Sequence, residues 1–497
     1  MTTDWFQKWS GYQPEKTAVK VADGSISYTY EEINNSACEL SNYFIDELNI
    51  RKGDRILILS SFNPEYISLF SVAQKTGIIL VPVNYRLSAA EIAYLVKNSD
   101  PSLIIYEEQF SDLLKDVNNS FQSGAIKWSE LKSRVEKSKN TLQVFKNIPV
   151  ESDHPCLILY TSGTTGFPKG AIYTHGMMLW NSLNTAIRLR LTSDDTTLMV
   201  MPPFHTGGWN VLTTPVLHFG GTIILMPKFD SGRTLQLLES EKISIFMAVP
   251  TMVKMMMEEN NFTSIDFSKL RYMIVGGEAL PVNTIEKWAE CGVPIRQGYG
   301  LTEAGPNITS LEAEDAIRKR GSIGFPNFYV KTRLVKEDGT DALPDESGEL
   351  WISGPVVTPG YWRNKEATRK AFSEEWFKTG DILKSDTDGY LYVVDRIKNM
   401  FISGGENVYP AEVERRILEH DLVSEAAVIG VPDKKWGEVG KAYIVVRENC
   451  NLSEEEINAF CKDGLAKFKV PKFFIFLHEL PKNDTGKIDR KQLSIYE

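Results

Sequence analysis

Residues 160–170 read Tyr-Thr-Ser-Gly-Thr-Thr-Gly-Phe-Pro-Lys-Gly. Gly163 and Gly166 let a backbone approach a ligand closely, Thr161, Ser162, Thr164 and Thr165 supply hydroxyl donors, and Lys169 supplies positive charge. That combination suits polyphosphate. The run is not a Walker A loop, because Lys169 follows Pro168 and precedes Gly170, where that loop needs Gly-Lys-Ser/Thr. Apolar residues 156–160 precede it and 171–173 follow it, so the loop belongs at a strand end. Read alone, it is also compatible with a plain surface loop.

The elements that must hold such a loop alternate from the start of the chain. Residues 55–60 and 78–83 read as strands and 65–75 and 89–98 as helices, which predicts an α/β architecture with largely parallel sheets. Residues 107–150 are polar and weakly periodic and read as a lid or connection. Further on, 390–394 read as a strand, Gly404-Gly405 as a turn, and Pro410 opens a helix with Val413 and Ile417 on one face. Residues 426–431, 441–447 and 473–477 read as strands, and Ser453 with Glu456 as a capping box for a helix carrying Ile457 and Phe460. The expected division is a large domain over 1–396 and a small α+β domain over 397–497.

The chain has 497 residues, 42% of them hydrophobic, enough for more than one domain. A formal net charge of -10 argues against a nucleic-acid partner, whose phosphates it would repel. Cys38, Cys156, Cys291, Cys450 and Cys461 are widely spaced with no Cys-x-x-Cys pair, which predicts a reduced, cytoplasmic protein without structural zinc. No apolar run reaches bilayer length and no signal-peptide pattern opens the chain, so any membrane contact is expected to be peripheral. Oligomeric state, a homodimer included, is open on sequence.

Six further runs follow in order. They are Gly276-Gly277-Glu278-Ala279-Leu280, Gln297-Gly298-Tyr299-Gly300-Leu301-Thr302-Glu303, Lys378-Thr379-Gly380-Asp381, Asp395-Arg396-Ile397-Lys398, Ser403-Gly404-Gly405-Glu406-Asn407-Val408-Tyr409-Pro410 and Pro481-Lys482-Asn483-Asp484-Thr485-Gly486-Lys487. With the threonine-rich run, their identity and order resemble the signature set of the adenylate-forming enzymes (acyl-CoA synthetases, luciferases and adenylation domains), most of all the fatty acyl-CoA synthetases. The resemblance covers nearly the whole chain. It implies a large N-terminal multi-sheet α/β domain for ATP and acid, and a small mobile α+β C-terminal domain that carries Lys487 and is hinged at Lys398.

The resemblance also implies roles. Thr161, Ser162, Gly163, Thr164, Thr165 and Gly166, with Lys169, hold the β- and γ-phosphates of ATP. Glu303, helped by Thr161, binds Mg2+, a hard cation that keeps several waters and needs few protein ligands. Thr302 donates to the α-phosphate, and Asp381 accepts from the ribose hydroxyls. Gly277, Glu278 and Ala279, with Gln297, Gly298, Tyr299, Gly300 and Val393, line the nucleotide; Glu278 stands where many relatives have a neutral residue. Lys487 and Arg396 counter the negative charge where the carboxylate attacks the α-phosphate. Lys398, Gly404 and Gly405 serve the coenzyme A side, where a larger side chain than glycine would block the thiol's passage, and Trp436, beside Lys434 and Lys435, is a candidate flank of coenzyme A that reads more strongly as a core side chain next to solvated charge. Gly404-Gly405 reads equally as a plain hairpin turn. Family members carry an acidic residue after the hinge lysine; this chain has Asn399.

Residues 201–209, Met-Pro-Pro-Phe-His-Thr-Gly-Gly-Trp, correspond by resemblance to the acyl-pocket segment, with Thr206 among its substrate positions and Gly276 and Leu301 beside it. Amino-acid-activating relatives place an Asp after the Phe to pair the substrate ammonium; His205 stands there, which argues against an amino acid. Trp209 matches a gate tryptophan of some long-chain enzymes, and Val211, Leu212, Val249 and Val275 are apolar, as an alkyl chain wants. Trp209 and His205 read equally well as core side chains. The expectation is an ATP-dependent acyl-CoA synthetase for a medium- or long-chain fatty acid, using ATP, Mg2+ and coenzyme A. The alternatives are an aryl-acid CoA ligase, a loader of acyl groups onto a carrier protein, and a catalytically silent acyl-adenylate binding protein.

Overall fold

The fold is taken from a computed structural model, which describes residues 4–117, 124–138, 145–161, 168–276, 280–404, 406–447, 450–482 and 488–495. The chain divides into two compact units, one of residues 1–331 and 352–377, the other of 332–351 and 378–497. The expected boundary at 396/397 falls inside the second unit.

The first unit is built on two sheets. One has six strands, in the order Gly124–Lys127, Leu103–Tyr106, Arg55–Leu59, Ile79–Pro82, Pro155–Thr161, Lys169–Thr174, parallel except for the last pair. The other has nine, and its central six (Ile295–Tyr299, Tyr272–Val275, Ile245–Ala248, Thr196–Met199, Thr222–Leu225, Thr17–Val21) run parallel. The sequence of the inner strands explains why: Arg55–Leu59, Ile79–Pro82, Ile245–Ala248 and Tyr272–Val275 are short, mostly apolar runs, as a sheet covered on both sides requires. Alternate residues then feed different cores. Ile56 and Ile58 join one cluster with Phe70 and Leu157, while Leu57 and Leu59 join another with Ile92 and Leu95. In the larger sheet Met199, Met247 and Ile274 face the first of these clusters and Leu198, Phe246 and Met273 a third.

The sheet order bears out the expected α/β class and its mostly parallel strands. The helices Pro64–Thr76 and Ala89–Ser99 lie where the periodicity put them. The reading of 107–150 as a lid or connection is corrected. It holds the helix Ser111–Val117, the sheet-edge strand Gly124–Lys127 and the helix Trp128–Lys137. The strand buries only Ile126 and the second helix only Leu131 and Val135, so little apolar periodicity is left in the sequence to announce them.

In the second unit residues 347–351, 378–385 and 391–396 are strand segments of a five-stranded sheet. A second sheet pairs Val423–Asp433 with Gly437–Val446, which also pairs in parallel with Phe473–Leu477. The helices Pro410–Leu418 and Glu454–Gly464 close over its core through Val413, Ile417, Ile457 and Cys461. The Ser453–Glu456 capping box is formed. Among the described residues no helix is long and apolar enough to cross a membrane, and all five cysteines are free thiols.

One buried ion pair anchors the start of the chain. Lys75, on the buried helix Pro64–Thr76, donates to Asp4 Oδ2 at 2.8 Å and to Asn34 Oδ1 at 2.7 Å, and Asn147 Nδ2 donates to the same Asp4 oxygen at 2.7 Å. Lys75→Ala leaves the carboxylate buried without its counter-charge, a loss of about 3–5 kcal/mol. A lower thermal midpoint checks it. The double change Asp4→Leu with Lys75→Met is expected to lose less than either single change.

Candidate functional site

The threonine-rich run joins two antiparallel strands whose register ends at Thr161 opposite Lys169. Ser162, Gly163, Thr164, Thr165 and Gly166 lie outside the described residues, so the geometry concerns the ends of the run. Thr161 Oγ1 donates to the Lys169 carbonyl at 3.4 Å. The segment 358–362 lies along the outer strand: Trp362 N donates to Gly170 O at 2.7 Å, Ile172 N to Gly360 O at 3.2 Å, and Thr358 Oγ1 to Ile172 O at 2.7 Å. This places the Tyr361 ring with its centroid 5.3 Å from Lys169 Nζ. The Tyr361 hydroxyl donates to Glu303 Oε1 at 2.9 Å, and Thr358 N donates to the Glu303 carbonyl at 2.7 Å. Burial first, and then the facing carboxylate, push the Tyr361 hydroxyl far above the ordinary tyrosine range, so it stays a donor. Lys169 and Glu303, far apart in sequence, are thus held by one aromatic side chain. Sequence reasoning missed Tyr361; the turn glycine before it, Gly360 at φ +140°, was the available signal.

The nucleotide positions in this unit lie at the carboxyl ends of adjacent parallel strands, where open α/β sheets bind ligands. Gly276 follows Tyr272–Val275, and Gln297, Gly298 and Tyr299 end the next strand. A Cβ on Gly276 would lie 3.4 Å from the Gly298 carbonyl. At Gly300 a Cβ would lie 2.0 Å from the Pro306 carbonyl, so only glycine permits the turn that leads to Leu301, half-buried, and to the 3-10 turn Thr302–Ala304. Gly277, Glu278 and Ala279 lie outside the described residues.

On the acid side, Thr206 Oγ1 shares a 2.7 Å hydrogen bond with the Tyr173 hydroxyl and accepts from Asn210 Nδ2 at 3.1 Å. Tyr173 stands on the strand that begins at Lys169, and burial keeps its hydroxyl protonated. His205 is half-buried and edge-on to Phe204, with ring centroids 4.7 Å apart. Tyr85, which the sequence did not flag, meets Phe204 edge to face at 5.2 Å. Trp209 is fully buried. Its indole N–H donates to Pro203 O at 2.6 Å and its ring packs on Phe62, Tyr66 and Phe70. In this placement it is a core side chain. Val211, Leu212 and Val275 are buried as well.

In the second unit Asp381 and Arg396 stand opposite each other on paired strands, with Arg396 Nε 2.9 Å from Asp381 Oδ1. Val393 faces Leu383 in the same register. Lys398 is exposed on the turn Ile397–Asn399. The departure at Asn399 has a local reason: its Nδ2 donates to Asp395 Oδ1 at 3.1 Å, and the other Asp395 oxygen accepts from Ala411 N at 2.7 Å. An acidic residue at 399 would set two carboxylates against each other. Gly404 adopts φ +62°, donates to the Trp436 carbonyl at 2.8 Å, and would bring a Cβ to 2.9 Å from the Trp436 ring. Asp433, held down to about 2 by its hydrogen bond to Lys472 and by the N–H groups of Lys435 and Trp436, fixes that turn, and Trp436 is half-exposed on it. Gly405 and Lys487 lie outside the described residues.

Among the described residues no group of three or more His, Cys, Asp or Glu could cage a metal. The Glu303 carboxylate, with its backbone and one oxygen fixed, fits a Mg2+ that takes its remaining ligands from phosphate oxygens and water.

The chain matches the AMP-binding enzyme family over residues 6–362 and the AMP-binding enzyme C-terminal domain over 412–487. It is 36% identical over 484 residues to a feruloyl-CoA synthase of an Amycolatopsis species, covering 97% of this chain and 96% of that one. It is also 36% identical over 465 residues to the long-chain-fatty-acid–CoA ligase FadD13 of Mycobacterium tuberculosis, covering 93% and 92%. The solved o-succinylbenzoate coenzyme A synthetase of Bacillus subtilis, in complex with ATP and a magnesium ion, superposes with a TM-score of 0.87 at 31% identity, covering 99% of each chain. With the family matched across both parts of the chain, over residues 6–362 and 412–487, this protein belongs to the AMP-binding, adenylate-forming enzyme family.

Proposed function

We propose that the protein is an ATP-dependent acid–CoA ligase acting on an apolar carboxylic acid, with a medium- or long-chain fatty acid as the first reading. The observation that carries it is the gathering of Lys169, Tyr361 and Glu303 on the threonine-rich hairpin, whose outer strand also carries Tyr173 to Thr206. A carboxylate is a poor acyl donor, and attack on the ATP α-phosphate brings two anions together, so cations must be aimed at the transition state. Lys169 binds the outgoing phosphates, Thr302 orients the α-phosphate, and Lys487 with Arg396 stabilises the forming acyl-adenylate as pyrophosphate leaves. Glu303, helped by Thr161, holds Mg2+, which offsets phosphate charge when bound. Asp381 holds the ribose. His205, Thr206 and Leu301 border the acid; Trp209 backs them from the core. The thiol of coenzyme A then attacks the acyl carbonyl and AMP leaves, with Gly404, Gly405 and Trp436 on the thiol side. A mobile segment 397–497 with Lys398 as hinge belongs to the same proposal.

The apolar character of Val211, Leu212, Val275 and Leu301 supports an aliphatic acid, and an imidazole where an ammonium partner would need a carboxylate argues against an amino acid. A second reading, an aryl acid, draws on the edge-to-face pair Tyr85–Phe204 and on the likeness to a feruloyl-CoA synthase.

Pyrophosphate release measured against aliphatic acids of graded length and a set of aryl acids, with and without coenzyme A, separates the readings. Activity on fatty acids is expected, and activity confined to aromatic acids would overturn that choice. No acid-dependent release from any member would mark a silent binding protein. Product formed only with a carrier-protein thiol would mark a loader. Lys487→Ala is expected to abolish adenylate formation while sparing thioester formation from supplied acyl-AMP; equal loss of both half-reactions refutes its role. Tyr361→Phe removes a hydrogen bond to a charged group, and the Mg2+ concentration for half-maximal rate is expected to shift by roughly fivefold or more. An unchanged Mg2+ profile rules the Tyr361 hydroxyl out of orienting Glu303.

A further inference from the structure

The residues after Thr206 form a five-residue π-helical turn, Gly207–Val211. Such turns are rare and leave carbonyls at their C-terminal end without helical partners. Here side chains from outside the turn supply them. Asn181 Nδ2, on the helix His175–Leu189, donates to Asn210 O at 2.7 Å. Asn307 Nδ2 donates to Asn210 O at 3.1 Å and to Val211 O at 3.2 Å, and also to Thr185 Oγ1. From within the turn, Asn210 Nδ2 reaches Thr206 Oγ1 at 3.1 Å, so the chain of bonds ends at the acid-side hydroxyl.

Asn307 is itself fixed. It lies four residues beyond Glu303, its carbonyl accepts from Asn327 Nδ2 at 2.7 Å, and the next residue, Ile308, donates to Tyr299 O at 3.0 Å. The strand Ile295–Tyr299 is held independently by its pairing with Thr309–Ser310 (Gly298 opposite Ser310, Tyr299 opposite Thr309). The nucleotide-side strand therefore does not use the Asn307 amide, whereas the acid-side turn draws on it at Val211 O and shares it with Asn181 at Asn210 O. The asymmetry is chemical: the strand is satisfied by backbone ladder bonds, and the π-turn carbonyls by a side-chain amide that a substitution can remove.

We infer that Asn307 is a positioning residue for the acid: its amide locks the turn 207–211, and through Asn210 the hydroxyl of Thr206, in register with the segment that carries Thr302 and Glu303. This rests on the reading of the protein as an acid–CoA ligase. It predicts a one-sided effect. Asn307→Ala should lower kcat/KM for the acid by about tenfold or more, as expected for loss of two partly buried hydrogen bonds, with the KM for ATP within about twofold of the unsubstituted protein. The preference among acids should also flatten, because a loosened turn no longer sets the pocket's depth.

The experiment uses the full chain and the acid that gives the highest kcat/KM in the graded panel, with thermal melting to fix a temperature at which each variant is folded. Asn307→Ser keeps one hydroxyl donor in a smaller void and is expected to fall between the unsubstituted protein and Asn307→Ala in acid kcat/KM. It serves as the test should Asn307→Ala not fold. An equal loss for acid and ATP, an unaltered acid preference in the folded variant, or no change at all overturns the inference while leaving the ligase reading intact. An unsubstituted protein without acid-dependent pyrophosphate release overturns the ligase reading, and the inference with it.

Discussion

A single phenol ring ties together two charged groups that lie far apart in the sequence. Tyr361 holds a carboxylate by its hydroxyl, at 2.9 Å from Glu303, and presents its face to the Lys169 ammonium, 5.3 Å from the ring centroid. One rigid side chain fixes a negative and a positive group at a set separation without letting them neutralise each other in a direct ion pair. A direct pair would spend both charges on each other. Held apart, each keeps its charge, as the proposed roles require: a cation for the carboxylate and a phosphate for the ammonium.

That arrangement is possible because segment 358–362 is stitched to the outer strand of the hairpin by backbone hydrogen bonds. The strand continues to Tyr173, whose hydroxyl meets Thr206, so one six-residue strand, Lys169–Thr174, links the Tyr361–Glu303 contact at its start to the Thr206 segment near its end. The parallel strands of the larger sheet supply the other wall. Their carboxyl ends carry glycine where two backbones come close, as at Gly276 and Gly300. Buried amides (Asn181, Asn210, Asn327) and the half-buried Asn307 lie among the helix His175–Leu189 and these loops. They satisfy carbonyls that no regular ladder reaches.

In the second unit the same economy holds on a smaller scale. Asp395 accepts from Asn399 and from the first turn of the helix Pro410–Leu418, so a neutral amide at 399 completes a site that a carboxylate would disturb. The Asp433 carboxylate likewise gathers two backbone N–H groups and the Lys472 ammonium, and so sets the turn that presents Trp436 beside Gly404.

Much of this could be read from the chain alone. Short apolar runs alternating with amphipathic ones marked the parallel strands and their helices, since a strand buried on both faces must be apolar throughout and a helix on one face only. The Ser453–Glu456 capping box was legible because both partners are local. So was the chemistry of the threonine-rich run, and the ordered motifs carried the family. What stayed hidden was whatever depends on partners distant in sequence or on weak patterning. The edge strand Gly124–Lys127 buries one side chain and left no period to detect. Trp209 read equally as gate or core until Phe62, Tyr66 and Phe70 were seen around it. Tyr361 has only the turn glycine before it as a local mark and Asn307 has none, because a hydrogen bond to a residue 58 or 122 positions away is written in the packing of sheets, not in the order of neighbours. Residue types and their spacing thus determined which groups are available for chemistry, and only tertiary structure decided which of them meet.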